Sequence, residues 1–405
     1  MRPQILFLAH RVPWPPNRGD RIRSFHILSA LTEFADVHLA CLSDDLHEPA
    51  RNHPLRERLA SCAIFRCDVP RWRAGLAAIA KGVPVSLTAF ESPALHSHIE
   101  QLLSTQQIDT AFVFSGQMAQ YIADDFTGRF IMDFVDVDSA KFADLSAAGS
   151  GPMAWINRRE AALLSAFEQR TARRADIALF VSDAEAKLFT RRSGEAAQTL
   201  ENGIDTATFD PTGVRAQSLE HGGPLILFTG QMDYPPNIGA VSSFANIAMP
   251  EILRACPSAR FAIVGRMPTP EVRALDGLNG TRVVGEVADV RPWLARADIV
   301  VAPLRIARGI QNKVLEAMAM ARPVVLSPAA AEGIDAEDGK HFLIAKDAAT
   351  EAAVVVSLLK DITRANPIGQ AARKHVCRRY SWDQQLRNLP ELCGVPAISK
   401  LVQSA

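Results

Sequence analysis

Short apolar runs and helix-patterned segments alternate from one end of the chain to the other. In the first half the runs fall at 5–9, 37–41, 111–115, 130–135 and 177–181. Each is apolar on both sides, as a strand buried on both faces requires. Amphipathic stretches lie between them, for example 21–34 and 155–174. The second half restarts the pattern at 225–228, 261–264, 282–284, 299–302, 324–326 and 342–345. Strand and helix in alternation predict parallel sheets built from βαβ units. The polar segment between Asp210-Pro211-Thr212-Gly213 and His221-Gly222-Gly223-Pro224 lacks periodicity and marks a joint. The pattern therefore predicts an α/β chain of two doubly wound domains, 1–214 and 215–379. Ligands of such sheets bind at the carboxyl ends of the strands, so binding is expected in a cleft between the two domains.

Composition narrows the classes. A chain of 405 residues exceeds one ordinary core. Basic and acidic residues balance at 44 each, which gives no global attraction to nucleic acid or anionic membrane. The first apolar run stops at His10-Arg11, too soon for a signal-peptide core, and no stretch is long and apolar enough to span a bilayer. Cys41, Cys62, Cys67, Cys256, Cys377 and Cys393 show neither CxxC pairing nor metal-ligand spacing. Reduced thiols in a cytoplasmic protein, with no metal site, are expected. A dinucleotide-binding GxGxxG after the first strand and a GxxxxGK[ST] phosphate loop are both missing, which excludes NAD-dependent dehydrogenases and P-loop ATPases.

The stretch with most chemistry runs from Gly309, Ile310 and Gln311 into a helix between two apolar runs. A helix start there offers free backbone N–H groups to phosphate oxygens. Lys313 adds positive charge in the first turn, and Glu316 follows on the same face at i, i+3 spacing. A carboxylate so placed suits the two hydroxyls of a ribose, and the combination describes a nucleoside diphosphate site. The plainer alternatives are a solvated glutamate and a Lys313–Glu316 surface ion pair of little energetic weight.

Other candidates lie in the first half. Gly19 permits close approach of backbone to a ligand, and Asp20 either caps the next helix or takes part in catalysis. Arg18, Arg21 and Arg23 either bind a phosphorylated ligand or face water. Strand alternation after 130–135 sends Asp136 and Asp138 to one side, with Val137 opposite. They would orient a ligand hydroxyl or take its proton, or cap the helix from Ser139. His10, at the end of the first strand, either faces the cleft or is structural. Trp72, Leu76 and Ile79 with Arg66, Arg71, Arg73 and Lys81 form either a basic interfacial helix or an ordinary half-buried one.

Several segments resemble family 4 glycosyltransferases of GT-B fold, collinearly over nearly the whole chain. They are Val181-Ser182, Asn202-Gly203-Ile204-Asp205, Phe209-Asp210-Pro211, the Lys313–Glu316 helix, Pro323-Val324-Val325, Glu332-Gly333 and Tyr380-Ser381-Trp382. Two finer matches, His10-Arg11-Val12-Pro13 with the segment 15–24 and Asp136-Val137-Asp138-Ser139-Ala140-Lys141, are similar to the exosortase/PEP-CTERM-associated sugar transferases. Thr229-Gly230-Gln231-Met232 fits that branch too. The resemblance implies two Rossmann-like domains facing across a cleft, with the segment from about 380 to 405 packed back on the first. It implies retaining transfer from a nucleotide-diphosphate sugar, with no metal and no cofactor besides that co-substrate. The acceptor would be a glycan or a polyprenyl-diphosphate-linked sugar in exopolysaccharide biosynthesis, handled by a cytoplasmic enzyme in peripheral contact with the inner membrane.

The resemblance places Gly230, Gln231 and Glu286 in the donor pocket, Glu316 on the ribose, and Gly19, Arg18 and His10 on the acceptor side. The chain also departs from the family pattern. Arg308 stands at the earlier acidic position of the Glu-x7-Glu pattern, and Gln231 and Pro236 replace two diphosphate cations. Arg308 and Lys313 are expected to supply the charge instead. Ala321 replaces the usual glycine after the donor helix, so the local backbone is expected to differ. The competing readings are a catalytically silent scaffold subunit and, against the motifs, a nucleotide-sugar epimerase.

Overall fold

The computed structural model describes residues 2–16, 18–43, 53–67, 69–218, 222–307 and 310–395. The chain divides into two compact units, Met1–Asn202 with Gln385–Ala405, and Gly203–Gln384. The first unit carries strands β1 (Gln4–Ala9), β2 (Asp36–Ser43), β3 (Ser61–Arg66), β4 (Thr110–Phe114), β5 (Arg129–Val135), β6 (Ile177–Phe180) and β7 (Gln198–Thr199). Its helices are α1 (Gly19–Phe34), α2 (Arg71–Lys81), α3 (Val85–Ala89), α4 (Pro93–Thr105), α5 (Asp138–Ala148), α6 (Gly151–Arg174) and α7 (Asp183–Ser193). The sheet order is β3-β2-β1-β4-β5-β6-β7 and the pairings are parallel.

The second unit carries β8 (Leu225–Thr229), β9 (Arg260–Val264), β10 (Thr281–Gly285), β11 (Ile299–Ala302), β12 (Val324–Leu326) and β13 (Leu343–Ile344). Its main helices are α8 (Pro235–Ser243), α9 (Met249–Ala255), α10 (Pro270–Arg273), α11 (Arg291–Arg296), α12 (Asn312–Ala319), α13 (Pro328–Ala331), α14 (Ala348–Lys360) and α15 (Ile362–Arg379). The order β10-β9-β8-β11-β12-β13 is again parallel and doubly wound. Both sheets reverse direction beside their first strand, at β1/β4 and β8/β11, where this architecture opens a crevice at the carboxyl ends.

The central strands are continuous apolar runs because helices cover both faces: all five residues of β4 and of β8 are buried. The sequence pattern does not predict β3 or β7. β3 is half-buried along most of its length and alternates no faces clearly, and β7 has two residues. An edge strand lacks the all-apolar signature of its neighbours.

The division between units falls at 202/203, earlier than the expected 214/215, and long-range contacts explain why. Ile204 bridges Ser381, and a Cβ on Gly203 would lie 2.7 Å from the Trp382 backbone. The Arg373 guanidinium donates to the Phe209 carbonyl and to Asp210 at 2.8 Å. The linker-like segment is thus fastened to the second unit at its beginning. The chain rejoins the first unit from Gln385 rather than from about 380. There the Thr110 hydroxyl and the Arg129 guanidinium donate to the carbonyls of Cys393 and Leu392.

One buried ion pair ties the first unit together. Arg23 and Asp133 are 1% and 0% exposed, and their side chains form two hydrogen bonds of 2.8 and 3.1 Å. Arg23 also donates to the Leu200 carbonyl and to Asn202. It therefore neither faces water nor reaches an acceptor. Its role is to fix α1 against β5 and the end of the unit. Among the described residues, no helix is long and apolar enough to cross a membrane.

Candidate functional site

The second unit gathers its polar groups at the carboxyl ends of β8, β9 and β11. Gly230 follows β8 and Gly265 follows β9, and the two backbones touch: a Cβ on Gly265 would lie 1.6 Å from the Gly230 carbonyl oxygen. Only glycine fits there. A Cβ on Gly230 would lie 2.9 Å from the Lys313 ammonium and 3.0 Å from the Asn237 amide. Lys313 reaches this floor from the first turn of α12. Its ammonium donates to Asn237 Oδ1 at 2.6 Å and sits 4.6 Å from the Phe228 ring centroid. Asn237, itself buried, donates to the Gln231 carbonyl and so locks the loop to the helix start. The buried Thr229 hydroxyl has no hydrogen-bond partner among the described residues.

Lys313 and Glu316 do not form the surface ion pair that their spacing allows; the lysine turns to Asn237 instead. The Glu316 carboxylate has no hydrogen-bond partner among the described residues. Burial pushes its pKa up to about 7, opposed by the charge of Lys313. Burial likewise pulls the lysine down to about 8, opposed by Glu316. A half-buried carboxylate with unfilled acceptor capacity is suited to hydroxyl donors.

Of the other donor-side candidates, Arg308 and Gly309 lie outside the described residues. Ile310 packs its side chain against the core. Gln311 is the residue before α12, and its carbonyl accepts from Val314. Glu286 is exposed just past β10. Pro236 lies in the first turn of α8, where prolines suit the helix start.

The residue that sequence reasoning missed is Arg266. Its guanidinium donates to the Gln231 side-chain carbonyl at 2.8 Å, so a cation does stand beside the glycine where Gln231 replaced one. The signal was present as an echo: Val264-Gly265-Arg266 after β9 repeats Thr229-Gly230-Gln231 after β8.

The first unit gathers a second group at the carboxyl ends of β1, β4 and β5. His10 is 8% exposed and stacks on Phe114 at 5.7 Å. Its Nε2 lies 3.4 Å from Asp20, which also accepts from Arg11 at 2.7 Å. The hydrogen bond from His10, then Arg11, holds the Asp20 carboxyl well below the usual carboxylate range. Burial lowers the His10 pKa and keeps the ring neutral, although Asp20 and Asp138 favour charge on it. Nε2 also lies 3.2 Å from the Arg11 guanidinium, so it either donates to Asp20 or accepts from Arg11 according to the tautomer, while the buried Nδ1 has no partner among the described residues. Arg18 is exposed, with Nε 3.7 Å from Asp20. Asp20 does not cap α1, since the cap residue is Arg18 and no side chain bonds there. Gly19 has open space where a Cβ would stand, so the fold itself does not demand glycine.

Asp136 and Asp138 share the ammonium of Lys141, at 2.8 and 3.2 Å, while Val137 is buried. Both therefore lie on one side, and neither caps α5. Glu168 and Glu185 do that work by accepting from the N–H groups of Ser139 and Val137. Burial pushes the Glu168 pKa up to about 7 against its hydrogen bonds from Ser139. The turn is strained: Ser115 and Val135, the neighbouring residues where β4 and β5 end, have φ of +78° and +71°. Such values are costly for a β-branched residue and cluster where backbone must be aimed. A concavity lined by Leu103, Ile108 and Phe126 lies at the opposite end of the strands and belongs to neither group. Among the described residues no group of three or more His, Cys, Asp or Glu side chains is arranged to hold a metal ion.

Residues 223–361 match the family described as Glycosyl transferases group 1. A phosphatidyl-myo-inositol mannosyltransferase of Propionibacterium freudenreichii is 32% identical over 160 residues. That match covers 38% of this chain and 39% of the relative. The crystal structure of Anabaena HepE in complex with UDP and glucose is similar over 96% of this chain and 99% of its own, with TM-score 0.61 and 15% identity. WaaG, a glycosyltransferase involved in lipopolysaccharide biosynthesis, is similar over 96% and 100%, with TM-score 0.61 and 14% identity. The segment 223–361 thus matches the group 1 glycosyltransferase pattern, and the chain that carries it has two parallel-sheet α/β domains of the GT-B fold.

Proposed function

We propose that this chain transfers a sugar from a nucleoside-diphosphate sugar to a hydroxyl of a glycan or lipid-linked acceptor. The reading takes the transfer to be retaining and independent of metal, and places it in exopolysaccharide assembly of the exosortase/PEP-CTERM type. One observation carries it: Lys313 and the Arg266–Gln231 pair stand at a glycine floor at the carboxyl ends of β8 and β9, with Glu316, which has no hydrogen-bond partner among the described residues, one turn along α12 from Lys313. The solved relative HepE binds UDP and glucose, which agrees with such a donor.

In this reading the first turn of α12, Lys313 and Arg266 hold the diphosphate, and Glu316 accepts from the ribose hydroxyls. Reaction breaks the bond from the anomeric carbon to the phosphate oxygen and forms one to the acceptor oxygen. Negative charge grows on the leaving diphosphate, where fixed cations stabilise it most. The acceptor proton passes to the leaving phosphate oxygen. Asp136, Asp138 and Asp20, with His10, orient the acceptor hydroxyl in the first unit.

The test is transfer of labelled sugar from UDP-, GDP- and ADP-sugars to a short-chain polyprenyl-diphosphate glucose, with EDTA present. The expected product keeps the anomeric configuration of the donor by NMR. An inverted product, or transfer abolished by EDTA and restored by a divalent ion, would overturn the mechanism. Donor binding without any transfer would favour the scaffold reading.

A further inference from the structure

Two apolar stripes of the first unit have no cover. On α2, Trp72, Leu76 and Ile79 recur at i, i+4, i+7 and so share one face. They are 64, 62 and 63% exposed, while Ala74 and Ala78 on the other face are buried. On α6, Met153, Trp155 and Ile156 are 64, 60 and 43% exposed. Arg159, one helical turn beyond Trp155 and Ile156, joins the two stripes. Its guanidinium donates to the carbonyls of Ala78 and Val83 at 2.9 and 3.2 Å. Glu160 beside it accepts from the N–H groups of Val85 and Ser86. The first turns of α6 are thereby anchored at the carboxyl end of α2.

Within the segments that carry these stripes the charge has one sign. Residues 69–81 contain Arg71, Arg73 and Lys81 and no acid, and residues 151–159 contain Arg158 and Arg159 and no acid. Lys81 is matched locally by Glu91. Arg73 stacks 5.1 Å from the Trp72 ring centroid, and both it and Arg158 are exposed with no acidic partner among the described residues. In a chain of zero net charge this is a local excess, not a reflection of composition. Six large exposed apolar side chains, two of them tryptophans, exceed the scattered apolar exposure of an ordinary surface.

We propose that α2 and the first turns of α6 seat on an anionic lipid bilayer, with Trp72, Leu76, Ile79, Trp155 and Ile156 at the boundary of headgroups and acyl chains. Tryptophan, aliphatic side chains and flanking arginines on one face are the composition of an interfacial helix. The exposed arginines left without acidic partners, Arg73 and Arg158, match a negative surface. The surface lies wholly in the first unit and includes none of the His10, Asp20, Lys313 or Glu316 side chains.

The experiment is vesicle flotation of the full chain, with vesicles of phosphatidylcholine alone and of phosphatidylcholine mixed with phosphatidylglycerol. Two variants are compared: Trp72→Ser/Leu76→Ser/Ile79→Ser, and Arg73→Glu/Arg158→Glu. All five positions are exposed, and circular dichroism checks that both variants fold. Wild type is expected to float with anionic vesicles and less so at high salt. Each variant should lose about tenfold or more of that partitioning while nucleotide binding is unchanged. No binding of wild type to anionic vesicles would overturn the proposal, as would equal binding by wild type and the serine variant. Self-association of wild type that the serine variant loses, without vesicle binding, would assign the face to a second copy and overturn it equally.

Discussion

Lys313 and Glu316 show how burial and chemistry meet in single side chains. They lie three residues apart with opposite charges, yet the ammonium bonds Asn237 and the carboxylate bonds nothing described. Each is pulled towards its neutral form by burial, to about 8 and about 7. Ribose hydroxyls donate to the carboxylate form, so nucleotide affinity should rise with pH through about 7. Diphosphate needs the ammonium form, so affinity should fall again through about 8. The expected profile of nucleoside diphosphate affinity is a narrow bell, measured by titration calorimetry in overlapping buffers. Glu316→Gln should remove the acid limb and Lys313→Arg the alkaline one; limbs that persist in both variants would contradict these assignments. The helix spacing made both residues legible in the sequence. Arg266 was not, because it meets Gln231 only through the pairing of β8 with β9, and no local period records which strands are neighbours. Arg23 misled for the related reason that burial is a property of the fold: it sits among other arginines in sequence, but inside the unit it is the one that pairs with Asp133.

At the scale of elements, the turn after α12 differs from expectation in an instructive way. A Cβ at Ala321 was expected to change the local backbone, yet Ala321 keeps a left-handed φ of +55°. Packing imposes it: Gly369 of α15 approaches so closely that a Cβ there would lie 2.2 Å from the Ala321 carbonyl oxygen. The chain thus bears the strain of alanine in a position suited to glycine, a cost of about 1–2 kcal/mol offset in part by a less flexible unfolded chain. Ala321→Gly should therefore stabilise the protein by about 0.5–1 kcal/mol in urea denaturation. A loss of stability would show that the turn is relaxed. The start of α5 carries the same lesson. Asp138 sits where a cap belongs, but Glu168 and Glu185 from other helices satisfy the N–H groups and leave the aspartates to Lys141. Buried strands such as β4 and β8 were legible because both faces are covered, whereas the half-buried β3 obeyed no simple period.

For the whole molecule, the restart of the strand pattern announced two α/β units, and both sheets have the order in which carboxyl-end loops collect ligands. The boundary was misplaced because composition marks where a chain looks like a linker, while contacts decide where it is fastened. Here Gly203 and Ile204 dock on Ser381 and Trp382 before the polar segment begins. The central claim is that the second unit binds a nucleoside diphosphate through Glu316 on the ribose and Lys313 with Arg266 on the phosphates. The most direct measurement is titration calorimetry of the full chain with UDP, GDP, ADP and CDP and with the matching nucleosides. One nucleoside diphosphate should bind. Lys313→Ala and Arg266→Ala should each weaken it by about tenfold or more with little change for the nucleoside, and Glu316→Ala should weaken both. Silence across the panel, or equal losses for nucleoside and diphosphate in the two cation variants, would contradict the claim.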